Sequence, residues 1–62
     1  MITKEEFEKM WNSLNKNVKM IVLYSGQRII SDNYDFAYPY LNVHYKGFNT
    51  KGILLSLVKE VG

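Results

Sequence analysis

His44 is the only histidine in the chain and the side chain best suited to proton transfer near neutral pH. It precedes Lys46 by two residues, and a lysine ammonium can hold a phosphate group beside a general acid or base. A single histidine on a polar strand face is more often solvated than catalytic, so both interpretations stay open. Because there is no second histidine and no cysteine, we expect no metal site and no cofactor.

A second group has the side-chain types that bind single-stranded nucleic acid: Arg28, Tyr40, Asn42, Lys46 and Lys51. Aromatic rings stack on bases, whereas amides and cations bind base edges and phosphates. Lys51 stands at the start of a predicted helix, where free backbone amides also favour an anion. The outer face of an antiparallel sheet is polar by default, so plain solvation explains the same pattern about equally well.

Three aromatic residues fall in a predicted surface loop over residues 32–39: Tyr34, Phe36 and Tyr38. Aromatic side chains exposed on a loop favour a protein interface, because they supply rigid contact area at low entropic cost. The alternative is that Phe36 and Tyr38 fold under the loop and extend the core of a short chain.

The amino-acid composition limits the classes of protein to which this chain can belong. The 62 residues predict one domain, 1–62, with a core so small that a homo-oligomer remains open. The absence of cysteine excludes disulfides and thiol chemistry and fits a reducing compartment. The longest apolar run, Met20 to Tyr24, is too short to cross a bilayer, and residues 1–14 lack the pattern of a secretory signal. We therefore expect a cytoplasmic protein with no membrane partner.

The charge is mildly basic, with a net value of +2. Residues 1–15 contain two lysines and three glutamates, so the excess of positive charge belongs to residues 16–62. A surplus of this size neither requires nor excludes a polyanionic partner.

The elements that must position these side chains begin with a helix. Thr3 and Glu6 have the spacing of a capping box. Apolar residues then follow at helical spacing: Phe7, Met10, Trp11 and Leu14. The sequence therefore predicts an amphipathic helix that begins after Thr3 and ends before Asn15-Lys16-Asn17.

Three strands are predicted next: Val18 to Tyr24, Gln27 to Ser31 and Tyr40 to Lys46. Ser25-Gly26 predicts a hairpin turn between the first two. In the third strand Leu41, Val43 and Tyr45 alternate with polar residues, which indicates one buried face and one wet face.

The last segment, residues 50–61, predicts a second helix. Its apolar stripe comprises Leu54, Leu57, Val58 and Val61, and Asn49 or Thr50 can cap its start. A period-two pattern also fits this segment, but leucine, lysine and glutamate favour a helix. The predicted fold class is α+β, in the order α-β-β-β-α, with two helices packed on one face of a small three-stranded antiparallel sheet.

This order is that of the double-stranded-RNA-binding-domain-like fold, and residues 51–62 resemble the last helix of the HicA family of small toxins. The resemblance lies in Lys51-Gly52, the leucines, Ser56, Lys59 and the terminal glycine. It implies an RNA-binding domain related to messenger-RNA interferases, whose partner is a HicB antitoxin. That family's catalytic histidine follows a Gly-Ser pair, whereas Ser25-Gly26 is followed here by Gln27 and Arg28. Any remaining ribonuclease activity would therefore depend on His44, with Arg28 and Lys46 holding the phosphate.

Two alternatives remain open. The first is functional: a non-enzymatic inhibitor encoded by a phage or mobile element, which binds a host or defence protein through the aromatic loop. The second is structural: a five-stranded barrel of the Sm or Hfq kind, in which one helix precedes the strands and the last segment is a strand. That barrel would predict a ring-shaped oligomer.

Overall fold

One α-helix is followed by a chain that is mostly β-strand. The computed structural model describes the backbone of residues 1–62 and the side chains of all residues except 49 and 50. The elements are α1 (Lys4–Ser13), β1 (Lys19–Leu23), β2 (Arg28–Ser31), β3 (Asn33–Ala37), β4 (Tyr40–Tyr45), β5 (Phe48–Leu54), a 3₁₀ helix (Leu55–Leu57) and β6 (Val58–Val61).

Helix α1 begins as predicted. The Glu6 amide donates to the Thr3 hydroxyl at 3.1 Å, and the Thr3 amide donates to the Glu6 carboxylate at 2.9 Å. These bonds satisfy two amides of the first turn and lower the pKa of Glu6, since they favour its charged form. The helix buries Phe7 and Trp11, so its predicted apolar face is confirmed.

The strands form two three-stranded antiparallel sheets. The first sheet has the order β2-β1-β6, and the second has the order β3-β4-β5. Only Asp32 separates β2 from β3, so one continuous stretch of chain passes from one sheet into the other. At this junction the Asp32 amide and the Ser31 hydroxyl both donate to the His44 carbonyl, at 3.1 and 3.0 Å.

One hydrophobic core lies between the two sheets and the helix. Its buried members come from every layer: Phe7, Trp11, Ile21, Leu23, Ile29, Leu41, Val43, Ile53, Leu55, Val58 and Val61. Tyr34 and Phe36 of β3 pack against its edge, where they meet Phe7 at ring-centroid distances of 4.9 and 5.8 Å. Burial of these apolar groups from both sheets holds the short strands together.

The predicted α-β-β-β-α arrangement is wrong, because no second α-helix closes the described part of the chain. Residues 48–61 form β5, the 3₁₀ helix and β6 instead. Leu54 and Leu57 of the predicted helical stripe are 38% and 46% exposed, whereas Ile53 and Leu55 are buried. The 3₁₀ helix interrupts the strand, so neither a period of two nor one of 3.6 fits the whole segment. The capping role suggested for Asn49 or Thr50 falls on side chains outside the described residues.

Strand pairing explains why this segment does not become a helix. β6 supplies the second neighbour of β1, with Ile21 opposite Val61 and Val22 opposite Glu60. Val58 and Val61 are β-branched and suit a strand, and Gly52 would weaken a helix. The pairing with β1 therefore overrides the helix preference of the leucines, lysine and glutamate.

The predicted surface loop over residues 32–39 is also wrong. Residues 33–37 form β3, which pairs with β4 through a tight turn at the cis Tyr38-Pro39 bond. Tyr34 and Phe36 are half-buried, whereas Asp35 between them is exposed. The alternation of aromatic and small or polar residues is typical of a strand with one buried face.

The other local predictions hold. The first hairpin is confirmed, with β1 and β2 joined by a turn in which Gly26 adopts a φ of 92°. Such a backbone conformation strongly favours glycine. The buried face of β4 is confirmed at Leu41 and Val43, which are fully buried. A single helix before the strands and a strand at the end agree with the element order of the alternative barrel, but the described chain has six strands in two sheets instead of five. No helix in the part of the chain that the structure describes is long and apolar enough to cross a membrane.

The central position of Phe7 leads to a first prediction. We expect Phe7→Ala to lower the free energy of unfolding by about 3 to 5 kcal/mol, because it removes a fully buried ring and leaves a cavity. Phe48→Ala is the matched control, since that phenylalanine is 72% exposed and should change stability by less than about 0.5 kcal/mol. Denaturant unfolding followed by circular dichroism measures both. Equal losses in the two variants would contradict this account of the core.

Candidate functional site

The outer face of the second sheet carries a group of polar side chains. Because Leu41 and Val43 point into the core, Asn42 and His44 lie on the opposite face of β4. Strand pairing places Asp35 of β3 directly opposite Asn42. The sequence alternation thus brings an amide, an imidazole and a carboxylate onto one surface.

Asp35 is the centre of this group. Its Oδ1 atom accepts a hydrogen bond from the Asn42 amide at 3.0 Å, and its Oδ2 atom lies 2.5 Å from His44 Nε2. The hydrogen bonds from Asn42 and then from His44 lower the pKa of Asp35, because they favour the charged carboxylate. We call Asp35, Asn42 and His44 the polar triad.

Gly52 leaves room for the polar triad. It lies opposite Asn42 on the neighbouring strand β5. A Cβ atom at position 52 would lie 3.3 Å from Asn42 Oδ1, which is closer than a comfortable contact. Any larger residue at this position would therefore press on the amide that holds Asp35.

The triad can orient an imidazole for proton transfer. Asp35 fixes one ring nitrogen of His44, and the other, Nδ1, has no hydrogen-bond partner among the described residues. A carboxylate that holds one nitrogen of an imidazole orients the ring, which is an arrangement that general acids and bases use. Within the described residues no group of three histidine, aspartate or glutamate side chains is placed to hold a metal ion.

The predicted nucleic-acid-binding residues do not all share this surface. Tyr40 lies on the same face of β4 and is 51% exposed. Lys46 lies in the β4–β5 turn, where its amide donates to Asp32 and its ammonium is 5.4 Å from the centre of the Tyr45 ring. Lys51 is exposed on β5. Arg28 lies on β2 in the other sheet, so the structure does not bring it together with the triad.

The three predicted interface aromatics are also divided. Tyr34 and Phe36 pack against α1, with a Tyr34–Trp11 centroid distance of 4.7 Å. Burial raises the pKa of Tyr34, and the nearby charge of Glu8 adds to the effect. Tyr38 is 79% exposed in the turn between β3 and β4. The alternative in which Phe36 and Tyr38 extend the core therefore holds for Phe36, which packs against the core, and not for Tyr38, which faces solvent.

Sequence reasoning missed two members of the site, Asp35 and Gly52. Both act across strand pairs, so neither is visible until the register of β3, β4 and β5 is known. The usable signal was the alternation of Tyr34 and Phe36 with Asp35, followed by a proline turn. A hairpin assigned from that pattern would have placed Asp35 opposite Asn42.

In comparisons with known proteins, no family model, curated protein or solved structure matches this chain. The resemblance to the HicA family therefore stays a prediction. It has lost its main structural support, because the residues that carried it form strands and a 3₁₀ helix instead of the expected last helix.

The lowered pKa of Asp35 leads to a second prediction. A carboxyl whose pKa is lower in the folded state than in the unfolded state stabilises the fold above its unfolded pKa, and this stabilisation is lost as the pH falls through the folded pKa. We therefore expect the parent to be more stable than Asp35→Asn at neutral pH, with the difference vanishing in acid. Urea unfolding at a series of pH values measures it.

The control is Glu60→Gln, which removes an exposed carboxylate on β6 that makes no hydrogen bond in the described part of the chain. Its stability relative to the parent should change much less over the same acidic range. A constant difference between the parent and Asp35→Asn at every pH would contradict the role assigned to the triad.

Proposed function

We propose that this protein is a small non-enzymatic binding domain that docks onto a partner protein through an exposed apolar patch at one end of the second sheet. The patch consists of Tyr38, Tyr40 and Leu54, and we call it the tyrosine patch. The observation that carries the proposal is the direct pairing of Tyr40 with Leu54 across β4 and β5. Tyr38 is highly exposed in the adjoining turn, where it lines a groove with Ile2 and Leu55.

The patch has the composition of an interface. Its three side chains are 79%, 51% and 38% exposed, respectively. Tyrosine is favoured at interfaces because it combines a large rigid surface with a hydroxyl that can bond at the rim. Large apolar groups that are adjacent and exposed are less readily explained by solvation than single ones.

The polar triad can act as the rim of this patch. Tyr40 precedes Asn42 by two residues on the same face of β4, so the polar triad lies next to Tyr40 along the strand. Its hydrogen bonds are formed within the protein, so Asp35, Asn42 and His44 are held in place before a partner arrives. Ordered polar groups lose less entropy on binding than free ones.

The edge of the second sheet lies beside the patch. β5 pairs with β4 on one side, and within the described residues no strand covers its other side. An uncovered edge offers backbone donors and acceptors to an extended segment of a partner. The partners expected from the sequence are a host or defence protein, or an antitoxin, in the cytoplasm, and each could supply such a segment.

A second candidate function rests on His44. The contact between His44 and Asp35 uses Nε2, and Nδ1 has no partner among the side chains that the structure describes, so it could exchange a proton as an RNA-cleaving general base or acid must. Lys46 follows two residues later and would supply the cation for a phosphate. The Asp35 carboxylate at the centre of the same face repels phosphate, which is why we rank this candidate below protein binding.

The tyrosine patch leads to a third prediction. In a pull-down from native-host lysate treated with RNase, we expect the parent to retain a protein partner, and Tyr38→Ala or Tyr40→Ala to reduce its recovery about tenfold or more. Loss of a buried interface tyrosine commonly costs enough binding energy for such a change. Mass spectrometry with isotope-labelled reference peptides measures the recovery.

Tyr24→Ala is the matched control, because Tyr24 is 60% exposed but lies in the β1–β2 turn. It should bind like the parent. Equal losses from all three tyrosine variants, or a partner that disappears on RNase treatment, would reject the tyrosine patch as a protein-binding surface.

A fourth prediction separates the two candidate functions. If the protein cleaves RNA, the parent should slow bacterial growth and shorten transcript lifetimes, whereas His44→Ala should abolish both effects and Asp35→Asn should weaken them. Because Asp35 positions the imidazole, Asp35→Asn should also shift the pH profile of cleavage. If neither the parent nor the variants change RNA decay, the ribonuclease candidate is rejected and protein binding is left.

A further inference from the structure

The outer face of the first sheet has a pattern that neither candidate function uses. Ile21, Ile29 and Val61 are buried in the core, so their strand neighbours point outward. The outward set comprises Met20, Val22, Arg28, Ile30 and Glu60. This face contains apolar residues together with one cation and one anion.

The strand register arranges this face in two rows. In the first row Ile30 lies opposite Met20, which exchanges two backbone hydrogen bonds with Gly62 at 2.7 and 2.8 Å. In the second row Val22 lies between Arg28 on β2 and Glu60 on β6. Each row therefore has a different residue at each end and an apolar residue at its centre.

Arg28 and Glu60 do not pair with one another among the described residues. They lie on β2 and β6, two strand spacings or roughly 10 Å apart along the backbone, with Val22 between them. Neither forms a salt bridge within the described residues, and both are exposed. Met20 and Ile30 beside them are 36% and 42% exposed, which is high for apolar residues in a small sheet.

Two copies of this face can be stacked about a two-fold axis that is parallel to β1 and lies between them. This arrangement gives each exposed side chain a complementary neighbour in the other copy. Such an axis exchanges the two ends of each row and leaves the centre in place. Arg28 then meets Glu60 of the second copy twice, and Val22 meets Val22. In the other row Met20 meets Met20, and the bulky Ile30 meets Gly62, where no side chain competes for the space.

The alternative axis, perpendicular to the strands, does not give a match. It would exchange the two rows and place Arg28 over Ile30, and Glu60 over Gly62. Charged groups would then be desolvated without partners, which is costly. The charge pattern therefore selects one of the two arrangements.

We propose that the outer face of the first sheet binds a second copy of this chain, in a two-fold dimer held by paired Arg28–Glu60 contacts around Met20 and Val22. Stacked sheets with roughly aligned strands are a common packing, with faces about 10 Å apart. The surface is on the other sheet from the tyrosine patch, so a dimer leaves that patch available. The face is small, so the dimer is weak and forms only at high protein concentration.

Sedimentation velocity of the full chain over a range of concentrations tests the dimer. We expect the parent to reach the mass of a dimer in the millimolar range. Arg28→Glu or Glu60→Arg alone should raise the dimer dissociation constant by about tenfold or more, because each change creates two like-charge contacts. The double variant with both changes should return to within about threefold of the parent, since the ion pairs are restored with opposite polarity.

Lys59→Glu is the matched control for charge reversal. Lys59 neighbours Glu60 on β6 but lines a groove beside Glu6 and Lys9 of α1, so it should leave the dimer constant near that of the parent. Circular dichroism confirms that each variant is folded. A parent that stays monomeric at millimolar concentration, or a double variant no better than the single ones, would overturn the proposed dimer.

Discussion

The carbonyl oxygen of His44 is the point on which the two sheets depend. It accepts hydrogen bonds from the Ser31 hydroxyl and from the Asp32 amide, at the place where the chain leaves β2 and enters β3. Ser31 is fully buried, and its single hydroxyl proton is shared between the carbonyl oxygens of His44 and Asn33, at 3.0 and 2.8 Å. The Asp32 carboxylate then accepts from the Lys46 amide in the next turn. These bonds fix the hairpin of β3 and β4 against the first sheet.

The same junction connects the fold to the candidate site. Its backbone contact fixes His44 in β4, and the register of β3 then determines which residue faces Asn42. A shift of one residue in this pairing would turn Asp35 toward the core and expose Tyr34. Packing of Tyr34 and Phe36 against α1 prevents that shift, because the alternative would bury a carboxylate. The position of the polar triad thus follows from burial of the aromatic residues on the opposite face.

Local signals were enough to predict part of this structure. The capping box of α1, the Ser25-Gly26 turn and the alternation of β4 each lie within a few residues, and each is confirmed. The prediction of a helix for the last segment failed because its leucines favour a helix locally. Its strand conformation depends instead on pairing with β1, more than thirty residues earlier. Likewise, Tyr40, Asn42 and His44 were found on one face by alternation alone. Asp35 and Gly52 required the pairing of three strands, which one strand's pattern does not contain.

The outer faces of the two sheets differ in how their charged side chains are distributed, and this distribution affects which class of partner each face could bind. On the second sheet, the carboxylate of Asp35 binds Asn42 and His44, so that face has an anion at its centre. On the first sheet, Arg28 forms no salt bridge with any residue whose side chain the structure describes, and the carboxylate of Glu60 lies on the same face. A phosphate backbone favours a surface of one sign, and neither face provides one. Mixed charge beside exposed apolar groups is instead the composition of protein interfaces, in which complementary charges select the register and apolar groups supply affinity.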